Sequence, residues 1–297
     1  MRIITNHFSL SSSAPLCYSF FLGEDDGLTM SCHQDVTNAS YGAGDGHSFT
    51  SRTHAIMQNH LTQMDLANPH YYINRELSLL AFNSRVLELA QDTTIPLLER
   101  LKYLCISSSN LDEFFEVRVG SLKQQLTLDL ASIGADGLTP KATLRAISEA
   151  AHDLVERQYR LLNDVLIPAL EQERIYFIRR TRWDSQQRAW LSRYFDEELM
   201  PLLNPLGLDP AHPFPNIINK SLNFIVSLQG TDAFGREIDT AIVQAPRTLP
   251  RIIRLPPEMA PSENTFVFLS SILHAFIDRL FPEMEVLGCY QFRLTRN

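Results

Sequence analysis

A chain of 297 residues, 44% hydrophobic and 20% charged, has ordinary globular composition and room for one large or two moderate domains, of which two are expected. A formal charge of −8 and a pI near 5.6 argue against a protein that as a whole wraps nucleic acid or lies on an anionic membrane, since both tasks need a net basic face. Cys17, Cys32, Cys105 and Cys289 are widely scattered, with no CxxC, so neither a zinc site nor a disulfide framework is signalled and a reducing cytoplasm is the simplest compartment.

The first short apolar run, Ala14 to Leu22, makes a poor signal peptide. Only Arg2 precedes it as positive charge, Pro15 and Ser19 interrupt it, and Asp25 and Asp26 follow where small residues should mark a cleavage site. No other run approaches the roughly 20 apolar residues of a membrane span. Up to about Pro69 the chain is rich in Ser, Thr, Asn, Gly and His without sustained periodicity, and this leader is expected to be disordered, with Met30, Met57 and Met64 as alternative starts.

Periodicity begins at Asn74, which can cap a helix running to about Gln91. Leu79, Phe82, Val86 and Leu89 occupy one face of it and Leu77, Leu80 and Leu87 another, which predicts a central position. Pro96 opens a second helix that is expected to stop in the polar run Ser107 to Ser109. Asn110 and Glu113 have capping-box spacing, predicting the start of a third helix with Leu111, Phe114, Phe115, Val119, Leu122 and Leu126 on its buried side.

After a loop from Gly134 to Pro140, the positions Leu144, Ile147, Ala151, Leu154, Gln158, Leu161 and Val165 recur by threes and fours as one seam of a helical hairpin. The expected partner is Ser185 to Leu199, with a short strand, Ile175 to Ile178, between them. Proline-punctuated strands then follow at Leu222 to Leu228, Thr240 to Ala245, Arg251 to Leu255, Thr265 to Leu269 and Val286 to Leu294, with one helix from Ser270 to Phe281. The fold class expected is α+β: a small all-helical domain followed by a domain with a long helical hairpin and a mainly antiparallel sheet.

Chemical constellations are few. No phosphate-binding glycine loop is present, and Gly207, Gly230 and Gly235 are placed in turns. Asp112, Glu113 and Glu116 form an acidic cluster that reads first as a helix-stabilising first turn, ahead of a metal site. His212, in the run DPAHPFPN, is assigned to a rigid loop with a structural or interface role. Arg179, Arg180 and Arg182, then Arg247, Arg251 and Arg254, could pair with a polyanion or be solvated sheet faces, and Arg118 and Lys123 carry the same ambiguity.

Three ordered segments, YINRELSLLAFNSRVLELA (Tyr72 to Ala90), PLLERLKYL (Pro96 to Leu104) and SSNLDEFFEVRVGSL (Ser108 to Leu122), resemble successive signatures of the long, histidine-using polyphosphate kinases. The resemblance continues through PLGLDPAHPFPNI (Pro205 to Ile217), the arginine and proline pattern of Pro246 to Pro256, and the closing FRLTRN, so it covers about Tyr72 to Asn297. Leu79 stands where relatives usually carry Trp, a change of packing residue. The resemblance implies reversible transfer of the ATP terminal phosphoryl group to inorganic polyphosphate through a phosphohistidine, with Mg2+, in a homo-oligomer assembled through a head domain. It also implies ATP/ADP contact at Asn110, the asparagine of NLDEF, whose spacing to Glu113 independently suggests a helix cap.

The phosphorylated histidine and the Mg2+-binding residues of that family lie beyond the matched positions, so no catalytic residue and no metal ligand is assigned here, and none of the nine histidines is a candidate. The implied division is a disordered leader at 1–69, a helical amino-terminal domain at 70–131, a head domain at 132–288 and the start of a catalytic domain at 289–297. The sequence is expected to be a truncated copy, inactive alone, cytoplasmic or membrane-associated through its oligomer, with no nucleic acid partner. The competing reading is a non-catalytic helical-hairpin scaffold for an anionic polymer or protein.

Overall fold

The computed structural model describes residues 65–128, 133–208, 213–231, 235 and 238–295. The run Ala14 to Leu22, Cys17, Cys32, His212 and all but the last residues of the expected leader therefore lie outside the described residues.

Helix α1 (Arg75–Gln91) starts as the sequence predicts: the Asn74 side chain accepts from the Leu77 amide at 3.0 Å. The same Asn74 amide group donates to Asp136 at 2.6 Å, so one residue caps the helix and pins the loop that precedes the later long helix. Asp92 ends α1, and Pro96 precedes α2 (Leu97–Glu113).

Here the structure departs from the expected break. Helix α2 runs through Ser107 to Ser109, passes into a π-helical segment at Phe114–Val119 and continues as α3 (Gly120–Thr127). The first of the polar residues, Ser107, does not stop it because it meets partners from other helices. Ser107 is fully buried; its hydroxyl accepts from Gln158 at 2.8 Å and its carbonyl accepts from the Asn83 amide at 2.9 Å. Serine favours turns by bonding to its own backbone, and that preference loses once tertiary donors satisfy it.

Helix α4 (Pro140–Arg160) is capped by Thr139, which accepts from Ala142 at 3.2 Å, and it too runs through a π-helical segment, Leu161–Leu166, into α5 (Ile167–Gln172). Its buried stripe, Ile147, Ala151, Leu154 and Leu161, packs with Leu80 and Leu87 of α1 and Leu104 and Leu111 of α2 in one core. The expected pairing of this seam with Ser185 to Leu199 is thus corrected: α1 and α2 offer apolar faces already held by short connections, and α4 closes on those. Helix α6 (Ser185–Tyr194), started by a capping box between Asp184 and Gln187, and its π-helical extension Phe195–Leu199 instead bury Leu191, Phe195 and Leu199 in the second core.

That second core lies among two sheets. Strand β1 (Ile175–Phe177) pairs in parallel with β6 (Asn264–Phe268), which pairs antiparallel with β5 (Ile252–Arg254). The other sheet has the order β2-β4-β3-β7, all antiparallel, with β2 at Pro205–Gly207, β3 at Leu222–Gln229, β4 at Thr240–Ala245 and β7 at Glu285–Phe292. Gly207 therefore ends a strand, where a Cβ would stand 2.8 Å from Ile238, rather than forming a turn. Phe224, Val226, Ala241 and Val243 project from this sheet into the core beside α7 (Leu269–Phe276). The boundary expected between 288 and 289 falls inside β7. The α+β architecture, a helical part followed by helices on mainly antiparallel sheets, is the class the sequence predicts, and no described helix is long and apolar enough to cross a membrane.

Candidate functional site

Of the residues singled out by the sequence, Asn110, Asp112 and Glu116 lie on the continuous helix that meets the ends of β3 and β7. Asn110 is half-buried near the end of α2 and is not a helix cap: the Phe114 amide donates to its carbonyl within the continuous helix. A helix start with free N–H groups is therefore absent at this position, and only the side-chain amide can meet a ligand. That amide donates to the Asn83 oxygen at 3.3 Å. Its orientation follows from its neighbours. The Ser107 carbonyl can only accept, so Asn83 turns its NH2 there and its oxygen toward Asn110, which must donate in turn. The Asn110 oxygen meets no donor among the described residues.

The acidic cluster has a different task from both readings given above. Asp112 accepts from Arg293 through two bonds, 2.6 and 3.0 Å, across 181 positions of sequence. Glu116, one turn further, forms an ion pair with Lys220 and accepts from the Asn219 side chain at 2.7 Å. The Lys220 hydrogen bond, followed by burial acting the other way and then the Lys220 charge and Asn219, holds the Glu116 carboxyl below its ordinary range. Glu113 is exposed. Asp112 and Glu116 sit beyond a helix start and are committed to the sheet, and no group of three metal-binding side chains occurs among the described residues.

The sheet side of the junction is equally tied. Lys220 has φ of 57°, a left-handed backbone rare for a residue with a Cβ, and its amide donates to the Leu294 carbonyl at 2.7 Å. Arg247 donates to the Asn219 carbonyl. The Tyr159 phenol of α4 lies near Arg293 and Asp112, and burial raises its pKa above the usual tyrosine range.

The other basic residues divide. Arg182 pairs with Glu171 at 3.3 Å, Arg180 contacts His274, and Arg254 donates to the Glu263 carbonyl at 2.6 Å, so the first cluster and one member of the second serve local structure. Burial, and after it the like charge of Arg247, lowers the Arg251 pKa from the ordinary arginine range. The sequence reading missed Arg293, Lys220 and Asn219 as members of this junction. The π segment did leave a trace: buried positions along the helix step Leu104, Ser107, Leu111, Phe114 by threes and fours and then jump five to Val119. The same five-residue jump separates Leu161 from Leu166.

Residues 72–178 match the family model of the polyphosphate kinase N-terminal domain, and residues 186–297 that of the polyphosphate kinase middle domain. A polyphosphate kinase of Pseudomonas syringae pv. tomato is 57% identical over 233 residues, 78% of this chain and 32% of that protein. That of Pseudomonas aeruginosa is 58% identical over 226 residues, 76% of this chain and 33% of its own length. The crystal structure of polyphosphate kinase from Porphyromonas gingivalis matches with a TM-score of 0.65 at 32% identity, covering 75% of this chain and 33% of that one. The chain thus spans about a third of the length of the curated relatives it matches.

Proposed function

Because the chain belongs to the polyphosphate kinase family, we propose that it forms the nucleotide-adjacent and assembly portion of an enzyme that reversibly moves the terminal phosphoryl group of ATP to inorganic polyphosphate. The observation that carries the nucleotide part is the open amide oxygen of half-buried Asn110, whose donor is fixed on Asn83. An acceptor held in one orientation suits the exocyclic amino group of an adenine. The phosphohistidine is assigned to residues outside this chain; among the described histidines, His152 bonds the Ser148 carbonyl and His274 contacts Arg180. Mg2+ would neutralise charge on the transferred group. The carboxylates of this helix do not fit such a metal, because Asp112 and Glu116 already hold cations of the sheet and Glu113 stands exposed with no group of three metal-binding side chains around it among the described residues.

Assembly with further copies through the sheet-bearing part is the second element of the reading. Its support is the aromatic face of the smaller sheet, where Phe177 stacks on Phe268 at 5.2 Å beside exposed Ile252. A concentration-dependent mass by light scattering, lost in Phe268→Glu, tests it. For the nucleotide role the test is Asn110→Ala in the whole kinase: a raised KM for ATP with unchanged melting supports it, and an unchanged KM refutes it.

A further inference from the structure

We propose that Asp112 and Arg293 are a positioning pair for the nucleotide site, setting the angle of the helix that carries Asn110 against the sheet; this rests on the reading of Asn110 above. The geometry of the contact is the first ground. A guanidinium giving two bonds, at 2.6 and 3.0 Å, to one carboxylate fixes direction as well as distance, which a single-point ion pair does not. Both partners are largely shielded, with 17% of the Asp112 side chain and 32% of that of Arg293 exposed, so screening by solvent is reduced.

The second ground is the arrangement of anchors. Asp112 and Glu116 are four residues apart on one helix face and attach to different strands: Arg293 directly follows β7, and Lys220 precedes β3. Those strands are neighbours, with Asn223 opposite Phe292, and the bond from Lys220 to Leu294 ties their ends together. Two attachments to a rigid platform define the helix direction, where one would leave a pivot. The anchors also straddle the start of the π segment at Phe114, where the hydrogen-bond register of the helix changes.

Asn110 lies two positions before Asp112 and does not touch the pair, since residues two apart point to different sides of a helix. Its position responds to the pair only through rotation of the helix as a body. The expected signature is therefore in nucleotide binding rather than in chemistry.

The test has two arms. In the chain with Cys17→Ser, Cys32→Ser, Cys289→Ala and Gln229→Cys, spin labels on Cys105 and position 229 report the distance across the junction. Asp112→Arg should broaden or shift that distribution, and Asp112→Arg with Arg293→Asp should restore it. In the whole kinase, Asp112→Asn should raise KM for ATP about fivefold while kcat stays within about twofold, again with recovery in the charge-swapped protein. An unchanged distance distribution in Asp112→Arg, a swap that restores nothing, or a shifted distribution with unchanged KM overturns the proposal. An Asn110→Ala protein with normal KM, alongside an Asp112→Asn protein with raised KM, removes the reading of Asn110 and keeps the pair.

Discussion

The carboxylate of Asp112 and the guanidinium of Arg293 face each other in a two-bond contact that spans 181 positions of sequence, joining the helical bundle to the strand-bearing half. Beside it, Ser107, Asn83, Asn110 and Gln158 form a polar chain inside the bundle, so the same helix is fixed from within and from outside.

Removing the centre of that chain has a calculable cost. Asn83→Ala leaves the Ser107 carbonyl without its 2.9 Å side-chain donor in a buried setting, so the folded state should lose about 1–3 kcal/mol. Chemical denaturation followed by circular dichroism measures it, and a loss below 0.5 kcal/mol, on the order of a surface change, contradicts burial of the network.

Helix α4 provides a test of which core it serves. Leu154 is 2% exposed in the bundle, and Leu154→Ala should destabilise by about 2–5 kcal/mol. Amide exchange should quicken in α1 and α2 while β3 and β4 keep their protection; acceleration confined to α6 would restore the hairpin pairing.

The Glu116 carboxyl titrates below its unfolded value because Lys220 and Asn219 bind the charged form. A depressed acid stabilises the fold above the unfolded pKa of about 4.3, and that contribution disappears as pH falls through the folded value. Wild type should therefore melt above Glu116→Gln at pH 7, with the gap closing below about pH 4. A gap that persists in acid, read by calorimetry, contradicts the ion pair.

Burial pushes the Cys289 thiol up to about 12, with Arg180 opposing it only in part, whereas Cys105 is exposed. The thiolate is the reacting species, so at pH 8 a maleimide should modify Cys105 well before Cys289. Peptide mapping by mass spectrometry reads the order, and unfolding should abolish the difference; equal rates in the native protein would contradict the burial.

What the sequence by itself determined are features governed by near neighbours. The cap at Asn74, the capping box at Asp184, the short apolar runs that became β3 and β4, and the three consecutive signatures from Tyr72 to Leu122 all depend on residues within a few positions of one another. The tertiary structure decided what depended on distant partners. Ser107 to Ser109 look like a helix stop until Gln158 and Asn83 supply the bonds that keep Ser107 helical, which turns Asn110 from a cap into a side chain held inside a helix. Asp112 and Glu116 look like a first turn until Arg293 and Lys220 arrive from the other half of the chain. A local pattern fixes backbone preference by about 0.5 kcal/mol per residue, and buried polar and ionic partners brought in by folding outweigh it.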